Sequence, residues 1–192
     1  MIMPSDRQAS PTASLNGKAC PFHTTSTHDI DEQAALLQGW NQTYDQMSAG
    51  PFNGSFAEAE FDGVQIFREI TSNALHQTGA LPAGTIAIGV PIALLGNASF
   101  CGTPANGTQI HVFSGDDAFE FLSPSGLDIA GFVLSERDLE DALTHDEMET
   151  VLPSLARPHL RPADGNAVAR MRRLFADVCE VLSQRSEIAA DP

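Results

Sequence analysis

Apolar and polar positions alternate with a period of two through much of residues 52–134, which is the spacing of half-buried β-strands. Residues 55–61 show it most clearly, and Asp62-Gly63, the strongest short hairpin signal, links them to a return strand at residues 64–70. Seven or eight short strands at this spacing predict an antiparallel barrel or sandwich rather than a parallel α/β sheet. Further strand-length runs, separated by turns rich in Gly, Pro, Asn and Ser, occupy residues 85–92, 99–101, 110–113, 118–121 and 127–134.

A helix is predicted before the strands. Asp29 and Asp31 suit its first turn, and its apolar residues Ala34, Leu37 and Trp40 share one face. The period changes from helical to strand-like only after this segment, so the helix precedes the β region as a separate element.

The chain after the strands is predicted to be largely helical. Ser135 with Asp138, and Thr144 with Glu147, have the spacing of a capping box, and each pair begins a short helix. Before residue 29 the chain is rich in Ser, Thr, Pro and Ala without any period, which predicts a flexible arm. The chain therefore divides into an arm at residues 1–28, a helix plus β domain at residues 29–134, and a helical segment at residues 135–192.

A last helix is predicted over residues 166–185. Its apolar stripe has spacings of three and four residues and consists of Val168, Met171, Phe175, Val178 and Leu182, and it is widened by Leu174 and Val181. Two heptads are too few for an independent coiled coil. This helix must therefore dock on its own β domain or on a second copy of the chain.

The composition is that of a globular protein with a strong negative charge. The chain has 192 residues, of which 42% are hydrophobic and 18% charged, enough for one good core. The net charge is −15, and between Ala19 and Ala156 only Arg68 and Arg137 are basic, against 19 carboxylates. Because DNA binding depends on Lys and Arg displacing counterions from phosphates, this polypeptide should not bind DNA by itself.

No segment predicts secretion or membrane insertion. Residues 1–14 are polar and lack the apolar region of a signal peptide. The longest apolar run, residues 85–95, is well short of the ~20 residues that a spanning helix needs. We therefore predict a cytoplasmic protein without membrane contact, and an odd number of widely spaced cysteines favours free thiols in a reducing compartment: Cys20, Cys101 and Cys179.

The sequence contains no recognisable catalytic motif. It has no G-x-S-x-G nucleophile elbow, no Walker string and no G-x-G-x-x-G turn. A metal site needs three converging ligands, and the only plausible candidates are Glu69, His76 and His111. Ordinary polar residues of a β domain are the commoner interpretation of these three. We predict neither an enzyme nor a cofactor.

A ligand pocket is the better-supported kind of site, because a barrel interior is lined by alternate residues of its strands. Most of the phenylalanines are expected to form core. Glu69 or His76 would be costly to bury without a partner, and a ligand is one possible partner. The predicted ligand-binding residues, all on strands or at strand ends, are Phe67, Glu69, His76, Phe100, His111 and Phe113.

Short strings within residues 31–143 carry a family resemblance. They are Gly39-Trp40-Asn41-Gln42, Tyr44-Asp45-Gln46-Met47, Gly50-Pro51-Phe52 with Gly54, Gln65-Ile66-Phe67-Arg68-Glu69, Leu75-His76-Gln77-Thr78-Gly79, Phe100-Cys101-Gly102 and Pro124-Ser125-Gly126-Leu127-Asp128. In this order they resemble the N-terminal regulatory domain of AraC-type transcription factors, and in particular the branch of the ethanolamine-operon regulator.

The resemblance implies a mainly β fold with C-terminal helices. The β part would be a cupin-like antiparallel barrel or jelly roll that senses a small effector, and the helical segment, through its apolar stripe, would pair two subunits. Family members also carry a C-terminal domain of two helix-turn-helix motifs, but nothing after Leu182 is long or basic enough to read a DNA groove. We therefore expect the sensing domain of a homodimer, either part of a longer protein or a stand-alone sensor, that reaches DNA only through a C-terminal domain absent from this sequence.

Two alternatives stay open beside this interpretation. One is a cupin-type metalloenzyme with a site at His76, His111 and Glu69. The other is a partner-binding module whose arm, residues 1–28, folds over the pocket. The scarcity of Lys and Arg favours a neutral, aromatic or amine-bearing effector over a highly anionic one, although Arg68 alone could pair with a carboxylate.

Overall fold

Strands dominate the protein. The computed structural model describes residues 23–61 and 63–190, and of these the side chains of residues 61 and 182–190 are not described. The strands are β1 (His23–Thr27), β2 (Thr43–Gln46), β3 (Gly54–Phe61), β4 (Val64–Thr71), β5 (Leu75–Gly79), β6 (Thr85–Ala93), β7 (Ala98–Phe100), β8 (Thr103–Ala105), β9 (Gln109–Ser114), β10 (Phe119–Ser123), β11 (Leu127–Ser135) and β12 (His159–Pro162). The helices are α1 (Ile30–Leu36), α2 (Glu136–Ala142), α3 (His145–Leu155) and α4 (Gly165–Ala190).

The strands form two antiparallel sheets. The seven-stranded sheet has the order β1-β3-β4-β11-β6-β9-β12, and the five-stranded sheet has the order β2-β5-β10-β7-β8. One continuous apolar core joins side chains from both sheets, as expected where two inner faces interdigitate. Its aromatic members are Phe56, Phe67 and Phe113 from the larger sheet, Phe100, Phe119 and Phe121 from the smaller, and Trp40 from the loop after α1.

The prediction of a mainly β fold followed by helices is confirmed, but the strands do not close into a single barrel. Among the described residues the larger sheet ends at β1 and β12, and the smaller sheet ends at β2 and β8. Large aromatic rings fill the space between the two inner faces, so the core is that of a sandwich rather than of a small closed cylinder.

The predicted hairpin is present. β3 and β4 pair antiparallel from Gly54↔Thr71 to Phe61↔Val64, and Gly63 in the connection has a φ of 82°, which favours glycine. Phe67 points into the core, whereas Ile70 lies on the opposite face and is 38% exposed. This alternation gives β4 one face toward the sandwich interior and one toward the outside.

Several elements differ from the sequence prediction. α1 ends at Leu36, so Trp40 lies beyond the helix, and residues 23–27 of the predicted arm form β1, while residues 1–22 lie outside the described part. Prediction also missed four strands, β2, β5, β8 and β12. They are only three to five residues long, which is too short to show a clear period of two. Most of them also pair with strands that are remote in sequence, so their structure depends on those partners.

Both predicted capping boxes are confirmed. The Ser135 hydroxyl accepts from the Asp138 backbone N–H at 3.0 Å, and the Asp138 carboxylate accepts from the Ser135 backbone N–H at 3.4 Å. At the next helix the backbone N–H and hydroxyl of Thr144 donate to Glu147 at 2.9 and 2.7 Å. The hydrogen bonds from Thr144 lower the pKa of Glu147. The Ser135–Asp138 pair fixes the start of α2, and the Thr144–Glu147 pair fixes the start of α3.

The last helix docks on its own sheet. Val168 and Phe175 are 2% and 5% exposed and pack against Val90 and Ala130 on the outer face of the seven-stranded sheet. Leu174 is 59% exposed, so part of the predicted stripe faces away from the sheet. The side chain of Leu182 lies outside the described part, and dimerisation through the stripe stays a prediction. Among the described helices, none is both long and apolar enough to cross a membrane.

Candidate functional site

A buried carboxyl group lies between the two sheets. Glu69 follows Phe67 by two residues on β4 and therefore shares its inward face. The residue is only 3% exposed. Its Oε1 accepts hydrogen bonds from the Gln33 side-chain amide at 3.0 Å and from the Tyr44 hydroxyl at 2.9 Å.

The two donors come from elements that local sequence holds in place. Asp29 caps α1 by accepting from the backbone N–H groups of Asp31 and Glu32 at 2.8 and 3.0 Å, which directs the buried Gln33 inward. The Gln33 amide occupies the space beside Gly54, where any Cβ would collide with it. Tyr44 comes from β2, one of the two strands at which the smaller sheet ends among the described residues.

Burial governs the electrostatics of this cluster. Desolvation raises the pKa of Glu69, while the hydrogen bonds from Gln33 and Tyr44 act in the opposite direction. Burial also raises the pKa of Tyr44 well above its ordinary value, and the nearby carboxyl of Glu69 adds to the effect. The phenol therefore remains a hydrogen-bond donor to the Glu69 carboxyl.

Glu69 borders a small cavity in the sandwich core. Its volume is about 10 Å³, enough for roughly one water molecule. The side chains of Gln42 and Gln77 line it together with Glu69, and aromatic rings of Trp40 and Phe67 form part of its walls. The site is thus a compact polar patch surrounded by aromatic side chains, with room for about one water molecule.

Several polar atoms around this patch have no hydrogen-bond partner among the described residues. They include Oε1 of Gln33 and the Nε2 groups of Gln42 and Gln77. Buried polar atoms are usually hydrogen-bonded, and leaving one without a partner costs about 1–3 kcal/mol. The cluster therefore offers one acidic acceptor and two amide donors to whatever group enters the cavity.

One segment, residues 37–42, forms part of the cavity wall. Leu37, Trp40 and Gln42 all line it, and the backbone between them turns through Gly39 with a φ of 82° and Asn41 with a φ of 39°. The Trp40 ring makes edge-on contacts with three phenylalanine rings at centroid distances of 5.1 to 5.9 Å. Trp40 is only 3% exposed, so its ring is packed into the core beside the cavity.

His111 lies deeper in the aromatic core. It is fully buried, with ring centroids 5.1 Å from both Phe100 and Phe121. Neither ring nitrogen has a hydrogen-bond partner among the described residues. Desolvation lowers the pKa of His111 from 6.5 to about 4, so the ring is neutral at physiological pH.

His76 is not part of this interior. β5 alternates so that Gln77 points inward and His76 outward, where its Nε2 lies 2.8 Å from Glu120 and its Nδ1 lies 3.7 Å from Asp45. The structure therefore does not bring His76 together with Glu69 and His111. Within the described ranges no group of three or more His, Cys, Asp or Glu side chains is placed to hold a metal ion.

The structure brings five of the six predicted ligand residues into the sandwich core. Phe67, Glu69 and Phe113 line the cavity, and Phe100 and His111 pack beside it. Sequence reasoning missed the polar residues that complete the cluster. These are Gln33, Gln42, Tyr44 and Gln77, of which the last three stand within the strings that carry the family resemblance.

No family model matches this sequence, and no solved structure matches it at a significant level.

Proposed function

We propose that this chain is the small-molecule-sensing and dimerisation region of an AraC-type transcription regulator, with its effector bound at Glu69. The observation that carries the proposal is the buried Glu69–Gln33–Tyr44 cluster with partnerless amide nitrogens beside it. Burying polar groups without hydrogen-bond partners destabilises the folded state. A ligand that supplies the missing hydrogen bonds would remove that cost.

The location of the resemblance strings supports the proposal. Trp40 and Gln42 come from one string, Glu69 from a second and Gln77 from a third, yet all four line one cavity. Tyr44, from a further string, donates to Glu69. Residues that are scattered along the chain but meet at one cavity are those expected of a shared binding site. The two facing sheets are also compatible with the cupin-like jelly roll that the resemblance implies.

The chemistry of the cluster defines an effector class. Glu69 accepts hydrogen bonds, and the Nε2 groups of Gln42 and Gln77 donate them. A small molecule that carries both an amine and a hydroxyl or carbonyl oxygen would satisfy all three. The cavity of about 10 Å³ is far smaller than such a molecule, so binding displaces the 37–42 segment. That displacement is the conformational signal of the proposed sensor.

The alternatives receive less support from the geometry. A metal site at His76, His111 and Glu69 would need His76 inside the sandwich, whereas its side chain lies on the outer face of the smaller sheet. DNA contact by this chain is opposed by its net charge of −15, so the proposal assigns DNA reading to a further domain of the regulator.

Trp40 provides a direct test, because it is the only tryptophan in the chain and it lines the cavity. Short amino alcohols and aromatic amines would be titrated while the emission of Trp40 and the midpoint of thermal unfolding are recorded. We expect at least one compound to change the emission and raise the midpoint. The Glu69→Gln variant should bind it about tenfold or more weakly, since one charge-assisted hydrogen bond is lost.

The matched control is Glu60→Gln, at an exposed carboxylate on β3. It should bind the same compound as tightly as the unaltered protein. A compound that binds Glu69→Gln and the unaltered protein equally well, with no change in Trp40 emission, would place the effector elsewhere and refute this site.

A further inference from the structure

A second and much larger cavity lies on the outside of the seven-stranded sheet, beneath α4. Its volume is about 440 Å³, within the range of small-molecule sites. Its floor draws residues from β1, β3, β4, β11 and β6, which are five adjacent strands. Five adjacent strands are separated by four inter-strand spacings, so the cavity extends for about 19 Å across the sheet. We call this elongated cavity the α4 groove.

Small side chains leave this space open. Ser55 and Ala57 on β3, and Ala176 on α4, are too short to close the gap between helix and sheet. The remaining surface is largely apolar and includes Ile70 and Phe175. Ile70 stays 38% exposed on a sheet face that α4 elsewhere covers, so an apolar ligand chain would remove exposed hydrocarbon from water.

Arg172 places a positive charge at the α4 groove. The guanidinium of Arg172 on α4 donates from Nε to the carbonyl of Pro91 at 2.7 Å and from Nη2 to the carbonyl of Gly107. Both acceptors are neutral, so these bonds hold the guanidinium in place without cancelling its charge. Glu180, which also lines the groove, follows Arg172 by eight residues, about 12 Å along the helix axis.

A second guanidinium lines the same groove. Arg68 on β4 is held by Asp128, with Nε and Nη2 donating to its two carboxylate oxygens at 2.9 and 2.7 Å. A guanidinium has five N–H donors, more than the two that Asp128 takes. In a chain of net charge −15, Arg68 is one of only two basic residues between Ala19 and Ala156, and it lines the same apolar groove as Arg172.

We propose that the α4 groove binds a monocarboxylate with a long, unbranched apolar tail. The tail lies along the groove over Ala57 and Ile70, and the carboxylate pairs with the guanidinium of Arg172. One negative charge matches Arg172, whose hydrogen bonds to described residues all go to neutral carbonyls, whereas a polyanion would meet the repulsion of the acidic surface.

This site is separate from the Glu69 cluster and does not depend on the function proposed for it. Arg68 and Glu69 are neighbours on β4 and point to opposite faces of the sheet, Arg68 toward the α4 groove and Glu69 toward the interior cavity. A ligand beneath α4 would bridge helix and sheet, and its binding free energy would add to the stability of that packing.

Dodecanoate, used below its micelle-forming concentration, is the probe that tests the groove. We expect it to bind by calorimetry and to raise the thermal midpoint, and we expect dodecanol, which has the same tail without the charge, to bind at least about tenfold more weakly. Arg172→Gln should weaken dodecanoate binding by a similar factor. Arg173→Gln, at the exposed neighbouring position on α4, should leave the affinity unchanged.

A second variant keeps the test decisive if Arg172→Gln fails to fold. Ala57→Leu fills the groove floor and should weaken dodecanoate binding without removing any charge. Trp40 emission should not respond to dodecanoate, which separates this site from the interior one. The proposal is overturned if dodecanoate does not bind, if Ala57→Leu binds it as tightly as the unaltered protein, or if binding alters Trp40 emission and is lost in Glu69→Gln.

Discussion

Consecutive residues of β4 have opposite chemical surroundings. Arg68 is paired with Asp128 on the outer face, whereas Glu69 is buried inside and its pKa is raised by desolvation. A polar residue can be predicted to lie on the inner face of a strand only if the strand and its register are both known.

Glu69 could be predicted because β4 belongs to a local hairpin. Gln77 could not, because the choice between His76 and Gln77 depends on a one-residue register in β5, a strand the sequence pattern did not reveal.

The Tyr44–Glu69 hydrogen bond should contribute measurably to stability. Tyr44→Phe removes the donor and leaves a buried acceptor with one partner fewer, so we expect unfolding in urea to require about 1–3 kcal/mol less free energy. A double-mutant cycle with Glu69→Gln should give a coupling energy above about 0.5 kcal/mol. Additive effects of the two substitutions would contradict the interaction.

His111 should make the fold sensitive to acid. Its pKa is about 4 in the folded protein and near 6.5 when exposed, so the unfolded chain binds a proton first as the pH falls. Stability should therefore decline between pH 6.5 and pH 4, by about 3 kcal/mol from this residue. His111→Leu should remove that part of the pH dependence in urea unfolding, whereas His145→Gln, at an exposed site on α3, should retain it.

At the scale of single elements, the features that sequence could predict are those with local determinants. The capping boxes of α2 and α3 and the turn between β3 and β4 are encoded within a few residues. β1 and β12 are different, because their hydrogen bonds come from residues far along the chain, such as Thr24↔Ala57 and Leu160↔His111. Edge strands of this kind gain their structure from a partner rather than from their own composition.

The two faces of α4 should respond differently to charge. Phe175→Glu places a carboxylate against the sheet, so we expect a loss of about 3 kcal/mol or more in unfolding free energy. Leu174→Arg changes an exposed position and should alter stability by less than about 0.5 kcal/mol. If the stripe pairs two subunits, light scattering should show a dimer for the unaltered protein and a folded monomer for Leu174→Arg.

The control is Arg170→Gln, an exposed change on the same helix that should preserve both mass and stability. A Leu174→Arg protein that still scatters light as a dimer would show that the outward face of α4 is not the interface. Phe175→Glu cannot serve this purpose, because its effect on packing would obscure any effect on association.

At the scale of the whole molecule, the interior cavity and the α4 groove lie on opposite faces of the seven-stranded sheet. The interior cavity depends on the smaller sheet and the 37–42 segment, and the α4 groove depends on the last helix. Neither arrangement follows from local pattern, because each requires the spatial order of the strands. The sequence pattern predicted a mainly β chain with helices at its end, but it left open whether the strands close into a barrel or form the two sheets of a sandwich.

The strand order also bears on how the chain is made. β11 is among the last strands to be synthesised, yet it occupies the middle of the larger sheet, between β4 and β6. Until Ser135 has emerged from a ribosome, β4 and β6 each present an unpaired edge, the kind of surface that pairs with other chains and aggregates. Long-range pairing of this sort is also slow. The interval between synthesis of β6 and β11 is therefore the period in which the edges of β4 and β6 are open to pairing with other chains.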